Sequence, residues 1–318
     1  MRRLVDRAAV DISGRAVLEL AVEAAAGSML AEGLASVPRA AQPKLIVSAS
    51  EYFPPSIALR SAMQQMRVPF VTLQHGAVNA AAAPFLADEY WVWTSRALNA
   101  LRSLQPTGAV TVVGHPGDAE TTAHDRDAIR SRLGISDSRT PVLVFFSQTH
   151  GLELSGATHF EVAAQLAAIR RLVPESLVVI KRHPSEYRSI LETLCVVDER
   201  VIVAPEGLSA AELASAADVA LALGSTALVD AVVAGCCAVE ILCDESTVVE
   251  SVAVERVAIP SAASAVVPLL SDAEKRDSLL GRQATWLRDS DTLEGAFDAA
   301  CTAAARRVIA GSTSRATC

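Results

Sequence analysis

The chain has 318 residues, of which 51% are hydrophobic and 20% charged, and its formal net charge is −8 at pH 7. That length suits two domains of about 110 to 180 residues better than one, and the apolar content fills two cores, so disorder is expected only in the tail "GSTSRATC". The acidic balance, with no Lys and Arg cluster interleaved with aromatics, excludes nucleic acid as a general partner.

Six cysteines, with Cys236 and Cys237 adjacent, show neither zinc spacing nor the density of a secreted disulfide scaffold. Free thiols in a reducing, cytoplasmic setting are expected. The start "MRRLVDRAAV" has basic residues, but Asp6 and Asp11 interrupt any signal-peptide apolar region. Residues 1–36 therefore read as helical, with Pro38 and Pro43 closing the region.

Short β-branched or aromatic runs predict strands at 44–50, 70–76, 89–95 and 110–116, with helices at 55–67 and 95–104 between them. After a segment rich in Asp and Arg at 118–140, strands are predicted at 142–148, 176–182, 200–205, 218–223 and 237–242. Helical tracts at 272–288 and 292–310 end the chain. Such alternation implies parallel sheets covered by helices. The expected fold is α/β with two Rossmann-like lobes, residues 1–117 and 118–318, the terminal helices belonging to the second. The apolar stretch 219–243 is long enough to test as a membrane span. Gly224-Ser225-Thr226 breaks it early, and Asp230 and Glu240 would lie in hydrocarbon, so it reads as strand, turn, helix, turn, strand.

Ligands of open α/β sheets bind beyond the carboxyl ends of the parallel strands. At those ends stand Glu51 after "LIVSAS", His75 after "FVTLQ", His150 after "VFFSQT", His183 after "VVIKR" and Ser225 after "VALALG". Repetition on five strands makes them candidate site residues, although a single strand-end histidine is commonly a structural hydrogen-bonding residue. Gly224 permits a tight turn that sets Ser225 and Thr226 at a helix N-terminus, where backbone N–H groups favour an anion; the same serine could serve as a cap alone. In "IKRHP", alternation gives Lys181 and His183 one direction and Arg182 the other, and Pro184 stops the strand. Gln148 and His150 are candidates on the loop after the first strand of the second lobe, where Gly151 allows close backbone approach. Trp91 and Trp93 read as core packing.

With these residues placed, the chain resembles GT-B fold glycosyltransferases of the bacterial surface-polysaccharide kind. Its nearest likeness is to capsule and teichoic-acid transferases related to CDP-glycerol glycerophosphotransferases, polysialyltransferases and capsular Kdo transferases. The carriers are "VPFVTLQHG", "ADEYWVWTSRALNAL" followed by "VTVVGHPGD", "VVIKRHP", and "ELASAADVALALGSTALVDAVVAG", between about residues 44 and 243. The resemblance implies that His183, Pro184, Ser225 and Thr226 hold donor phosphate, and that Glu51 or His75 handles the acceptor. It implies a nucleotide-activated sugar or CDP-glycerol donor and a glycan or lipid-linked acceptor. The setting would be the cytoplasm, at the inner face of the membrane where the acceptor is lipid-linked. Relatives begin with a glycine-rich strand-loop-helix unit; here the first predicted strand starts at 44, which implies a shortened N-terminal lobe.

The expected reaction is an inverting transfer: a base, His75 or Glu51, deprotonates an acceptor hydroxyl, and Ser225, His183 and Lys181 stabilise the departing phosphate. Gly76 is expected to let the backbone turn beneath the substrate. No cofactor or metal is expected, because Asp125-Arg126-Asp127 and Asp289-Ser290-Asp291 do not end core strands. The alternatives are an enzyme like the UDP-sugar 2-epimerases and a non-catalytic nucleotide-sugar-binding pair of lobes.

Overall fold

The structure, a computed structural model, describes residues 25, 28–30, 32–38, 41–51, 54–115, 124–148, 154–184, 186, 189–288 and 297–315. Most of the expected N-terminal helix lies outside them; residues 32–36 are helical and largely exposed. Ten strands among the described residues form two all-parallel sheets. β1 (Ile46–Ser48), β2 (Phe70–Leu73), β3 (Glu89–Val92) and β4 (Ala109–Val112) lie in chain order in the first. The second contains β5 (Val142–Phe146), β6 (Leu177–Lys181), β7 (Val201–Val203), β8 (Val219–Ala222), β9 (Cys237–Leu242) and β10 (Glu255–Ala258), in the order β10-β9-β8-β5-β6-β7.

This second order is that of the doubly wound nucleotide-binding fold, with its reversal between β5 and β8. The chain fills the sheet outward from β5 to β7, then returns to the far side of β5, so the loops after β5 and β8 diverge and leave a crevice. Period-two alternation explains why the sheet is buried on both faces. Leu143 and Phe145 pack with Val162 and Leu166 of the helix Gly156–Leu172 and Val266 of the helix Ala262–Ser271. Val142, Val144 and Phe146 face the opposite core, with Ile129, Leu213 and Leu228 from the helices Arg126–Arg132, Ala210–Ala216 and Ala227–Val233.

The first sheet alternates in the same way. Phe70, Tyr90 and Val92 join Met63 of the helix Pro54–Met66 and Leu101 of the helix Ser95–Ser103, whereas Val71 and Trp91 face the other side. That side is covered by the last helix, Phe297–Arg315, through Phe297, Ala300, Cys301, Ala304 and Val308. This corrects the expectation that both terminal helices complete the second lobe. With four strands in consecutive order, right-handed crossovers place the connecting helices on one face and leave the other for a distant segment. The helix also continues to Arg315, past the start of the tail expected to be disordered; elongation adds a hydrogen bond per residue after nucleation. No helix among the described residues is long and apolar enough to cross a membrane.

Candidate functional site

The second lobe presents its polar residues at the β5–β8 reversal. Gly224 follows β8 with φ +58°, and Ser225 Oγ accepts from the N–H of Ala227 at 3.3 Å; Thr226 holds the N-terminal cap position of the seven-residue helix Ala227–Val233, without a side-chain cap bond. Gln148 follows β5; its carbonyl lies 3.1 Å from Nε2 of the buried His159, which fixes the start of that loop against the helix Gly156–Leu172. A Cβ built on Gly224 would sit 3.1 Å from Cγ2 of Val248. Gly224→Ala is therefore expected to cost about 1 to 2 kcal/mol in a urea melt, from the left-handed backbone and the displaced valine together.

In the first lobe, Glu51 is buried just beyond β1 and both its oxygens are engaged. Oε1 accepts from Tyr90 Oη at 2.6 Å and Oε2 from the N–H of Leu86 at 2.9 Å, while Tyr90 Oη accepts from the N–H of Ala87 at 2.8 Å. Burial, reinforced by the bond to Glu51, pushes the Tyr90 phenol far above its ordinary pKa. Glu51 thus pins the 86–90 segment to the strand ends. His75, by contrast, is exposed beyond β2. Gly76 has an ordinary φ and open space around a Cβ, so the turn there does not demand glycine, contrary to the sequence expectation.

Gln74 ties this segment to both lobes. Its Oε1 accepts from the N–H of Trp93 at 2.8 Å, and its Nε2 donates to the Gly76 carbonyl and to Glu250 Oε2, both at 2.9 Å. Glu250 Oε2 also accepts from the N–H of Val78 at 3.0 Å. Alongside, Asn79 and Val248 form an antiparallel bridge, with Ala80 N–H donating to Thr247 O at 2.8 Å and Val249 N–H to Val78 O at 2.9 Å. Arg96 adds a second tie: it donates to Trp286 O at 3.0 Å and lies 3.5 Å over the Trp286 ring.

Between the lobes is a cleft of about 300 Å³. Glu51 and His75 line it from the first lobe, and Gln148, His183, Gly224, Ser225 and Thr226 from the second. Lys181 and Pro184 do not line it. β6 ends at Lys181, so strand alternation does not carry through to His183. Arg182 is held within its own lobe by Glu192, at 2.6 and 3.0 Å. His150 and the triplet at 289–291 lie outside the described residues, while Asp125 caps the helix Arg126–Arg132 by accepting from the N–H groups of Asp127 and Ala128. Trp91 and Trp93 are buried as expected, and His115 packs edge-on against Trp93, ring centroids 4.4 Å apart. Nothing in the sequence pairs Glu250, Val248 or Trp286 with their first-lobe partners, which are more than 150 residues away.

No protein-family model and no curated protein matches the sequence. Solved structures do match in fold. HepE from Anabaena, in complex with UDP and glucose, is 15% identical with a TM-score of 0.59, the match covering 87% of this chain and 81% of that one. The UDP-GlcNAc 2-epimerase from Neisseria meningitidis bound to UDP-GlcNAc is 14% identical with a TM-score of 0.60, covering 84% and 80%. MnaA from S. aureus with UDP is 12% identical with a TM-score of 0.62, covering 88% and 79%. The chain has the two-lobed, GT-B-like architecture of these proteins.

Proposed function

We propose that the chain is a GT-B type glycosyltransferase that holds a nucleotide-activated donor in its second lobe and a hydroxyl acceptor in its first. The observation that carries this reading is a cleft in which residues from the β5–β8 reversal face residues from the ends of β1 and β2. The nucleotides bound by the structural neighbours support a UDP-sugar donor. Within this class, the motif resemblance favours surface-polysaccharide or glycoconjugate synthesis, with CDP-glycerol as the other donor to test.

In the proposed reaction His75 takes the acceptor hydroxyl proton, the oxygen attacks the anomeric carbon, and the carbon–phosphate-oxygen bond breaks with inversion. His183, Ser225 and Thr226, which line the cleft, meet the charge that develops on the leaving phosphate. Preorganised donors of this kind are worth about 100 to 1,000-fold each. Glu51, with both oxygens engaged, serves better as the pin of the first-lobe wall than as the base.

The test is calorimetric titration with UDP, CMP and CDP. Replacing Ser225 and Thr226 with alanine is expected to weaken nucleotide binding by about tenfold or more, the loss of one to two hydrogen bonds to a charged group, without unfolding the protein. Unchanged affinity in a folded double variant would remove the donor site. Turnover is expected to survive EDTA; loss on chelation with recovery on Mg²⁺ or Mn²⁺ would overturn metal independence. A second reading, a nucleotide-sugar 2-epimerase, is favoured by the likeness to the Neisseria enzyme. It predicts an epimerised nucleotide sugar without acceptor, whereas transfer releases free nucleotide only with one.

A further inference from the structure

The first-lobe half of the cleft differs in chemistry from the second. Leu73, Val78, Ala82, Phe85, Val92 and Leu101 line it. Phe85 packs edge-on against Tyr90, ring centroids 5.9 Å apart, so the wall is a braced aromatic surface. Two of the polar groups there are satisfied within the wall: Tyr90 Oη donates to Glu51 and accepts from Ala87, and the second Glu51 oxygen accepts from Leu86, whereas the buried Thr72 hydroxyl, which also lines the cleft, has no partner. A ligand therefore meets the carbon surface of Leu73 and Phe85 beside a carboxylate, with the Thr72 hydroxyl open to a sugar hydroxyl. Among the described residues that line the cleft, none is lysine or arginine. Arg60 reaches the Leu86 carbonyl at 3.4 Å without lining the cleft.

We infer that this half of the cleft is a subsite for a neutral acceptor with an apolar face, an aryl or alkyl glycoside in chemical class, and that it rejects anionic acceptors such as sialic acids and glycerol phosphates. The inference rests on the cleft being the reacting site proposed above. An anion placed here would lose hydration next to the Glu51 carboxylate with no lysine or arginine among the lining residues to replace it, which is unfavourable in a half-enclosed site. A neutral ligand gives up no such hydration, and an aromatic or alkyl body covers Phe85 and Leu73 while its sugar hydroxyls extend toward His75 at the solvent edge. This separates the chain from the polysialyl and glycerophosphate chemistry that its motifs resemble, in which the growing polymer is itself anionic.

The experiment measures binding rather than turnover. 4-Nitrophenyl β-D-glucopyranoside, N-acetylneuraminic acid and glycerol 3-phosphate are titrated by calorimetry and by saturation-transfer NMR, each with and without saturating UDP. The aryl glycoside is expected to bind at least about tenfold more tightly than either anion, the aryl protons receiving the strongest transfer. Phe85→Ala is expected to weaken the aryl glycoside by about tenfold while UDP affinity stays unchanged. Ala82→Phe, at a partly exposed position that contributes nothing to the core, is expected to block the same ligand if Phe85→Ala does not fold. Anion binding as tight as that of the aryl glycoside, or aryl glycoside binding that ignores both substitutions, overturns the subsite. Because the glycoside is also read without UDP, a protein that binds no nucleotide defeats the donor reading and leaves this comparison to be decided on its own result.

Discussion

Glu250→Leu is expected to lower the unfolding free energy by about 2 to 4 kcal/mol, because it leaves the Gln74 amide and the Val78 N–H facing a buried apolar side chain. Glu250 is only 7% exposed, and burial holds its carboxyl above the ordinary range, partly offset by the Val78 N–H, the Gln74 amide and the charge of Arg96. Glu250→Gln keeps an oxygen for the two donors and removes the buried charge, so its cost should stay below about 1 kcal/mol. The pH dependence separates the two effects. A carboxyl whose folded pKa is raised contributes stability that is fully present below its unfolded value and is lost as pH rises through the folded one. Glu240 and Asp230, also raised by burial, slope the same way, whereas Glu212 and Glu245, held down by N–H and hydroxyl donors, slope oppositely. The difference between wild type and Glu250→Gln isolates the Glu250 component: wild type should gain stability relative to Glu250→Gln as pH falls from neutral. Urea melts of the three proteins across mildly acidic pH test this, and a Glu250→Leu melt within about 0.5 kcal/mol of wild type would show that the ties between the lobes carry no weight.

Much of the architecture was legible because the hydrophobic period is clear. β9 coincides with the segment expected at 237–242, and the alternation of β5 and β6 follows directly from "VLVFF" and "LVVIK". β10 was not, since Glu255–Ala258 is a four-residue edge strand with two of its positions exposed, and Arg256 pairs with the buried Glu240 on the neighbouring strand. The last helix was visible as a helix, but its alanine-rich stripe says nothing about which sheet it covers. The same limit applies to the site. Strand-end position was enough to single out Glu51, His75, His183 and Ser225, and the cleft brings all four together. It could not distinguish an engaged carboxylate from an open imidazole, because Tyr90 and Leu86 reach Glu51 from residues 35 to 39 positions later. Nor could it pair Gln74 with Glu250 across 176 residues.

His75→Ala is expected to reduce kcat by roughly 100 to 10,000-fold, the range for loss of a general acid or base, while the nucleotide dissociation constant stays within about twofold. The split follows from the geometry. His75 projects from the end of β2 into the first-lobe side of the cleft, whereas the groups proposed to hold phosphate stand on the second lobe. Its backbone is held by neighbours: Gln74 bonds to Trp93 and Glu250, and Val78 and Ala80 bond to the 247–250 segment. Removing an exposed imidazole from so anchored a loop should leave the melt unchanged, so lost turnover would report chemistry. Glu51→Gln gives the contrast. It keeps an acceptor for Tyr90 but weakens the pin on the 86–90 segment, and should lower stability more than kcat when measured with the donor saturating. If Glu51→Gln instead loses turnover by the larger factor at unchanged stability, and His75→Ala does not, the proton is taken by the carboxylate, with Tyr90 as its hydrogen-bonding partner.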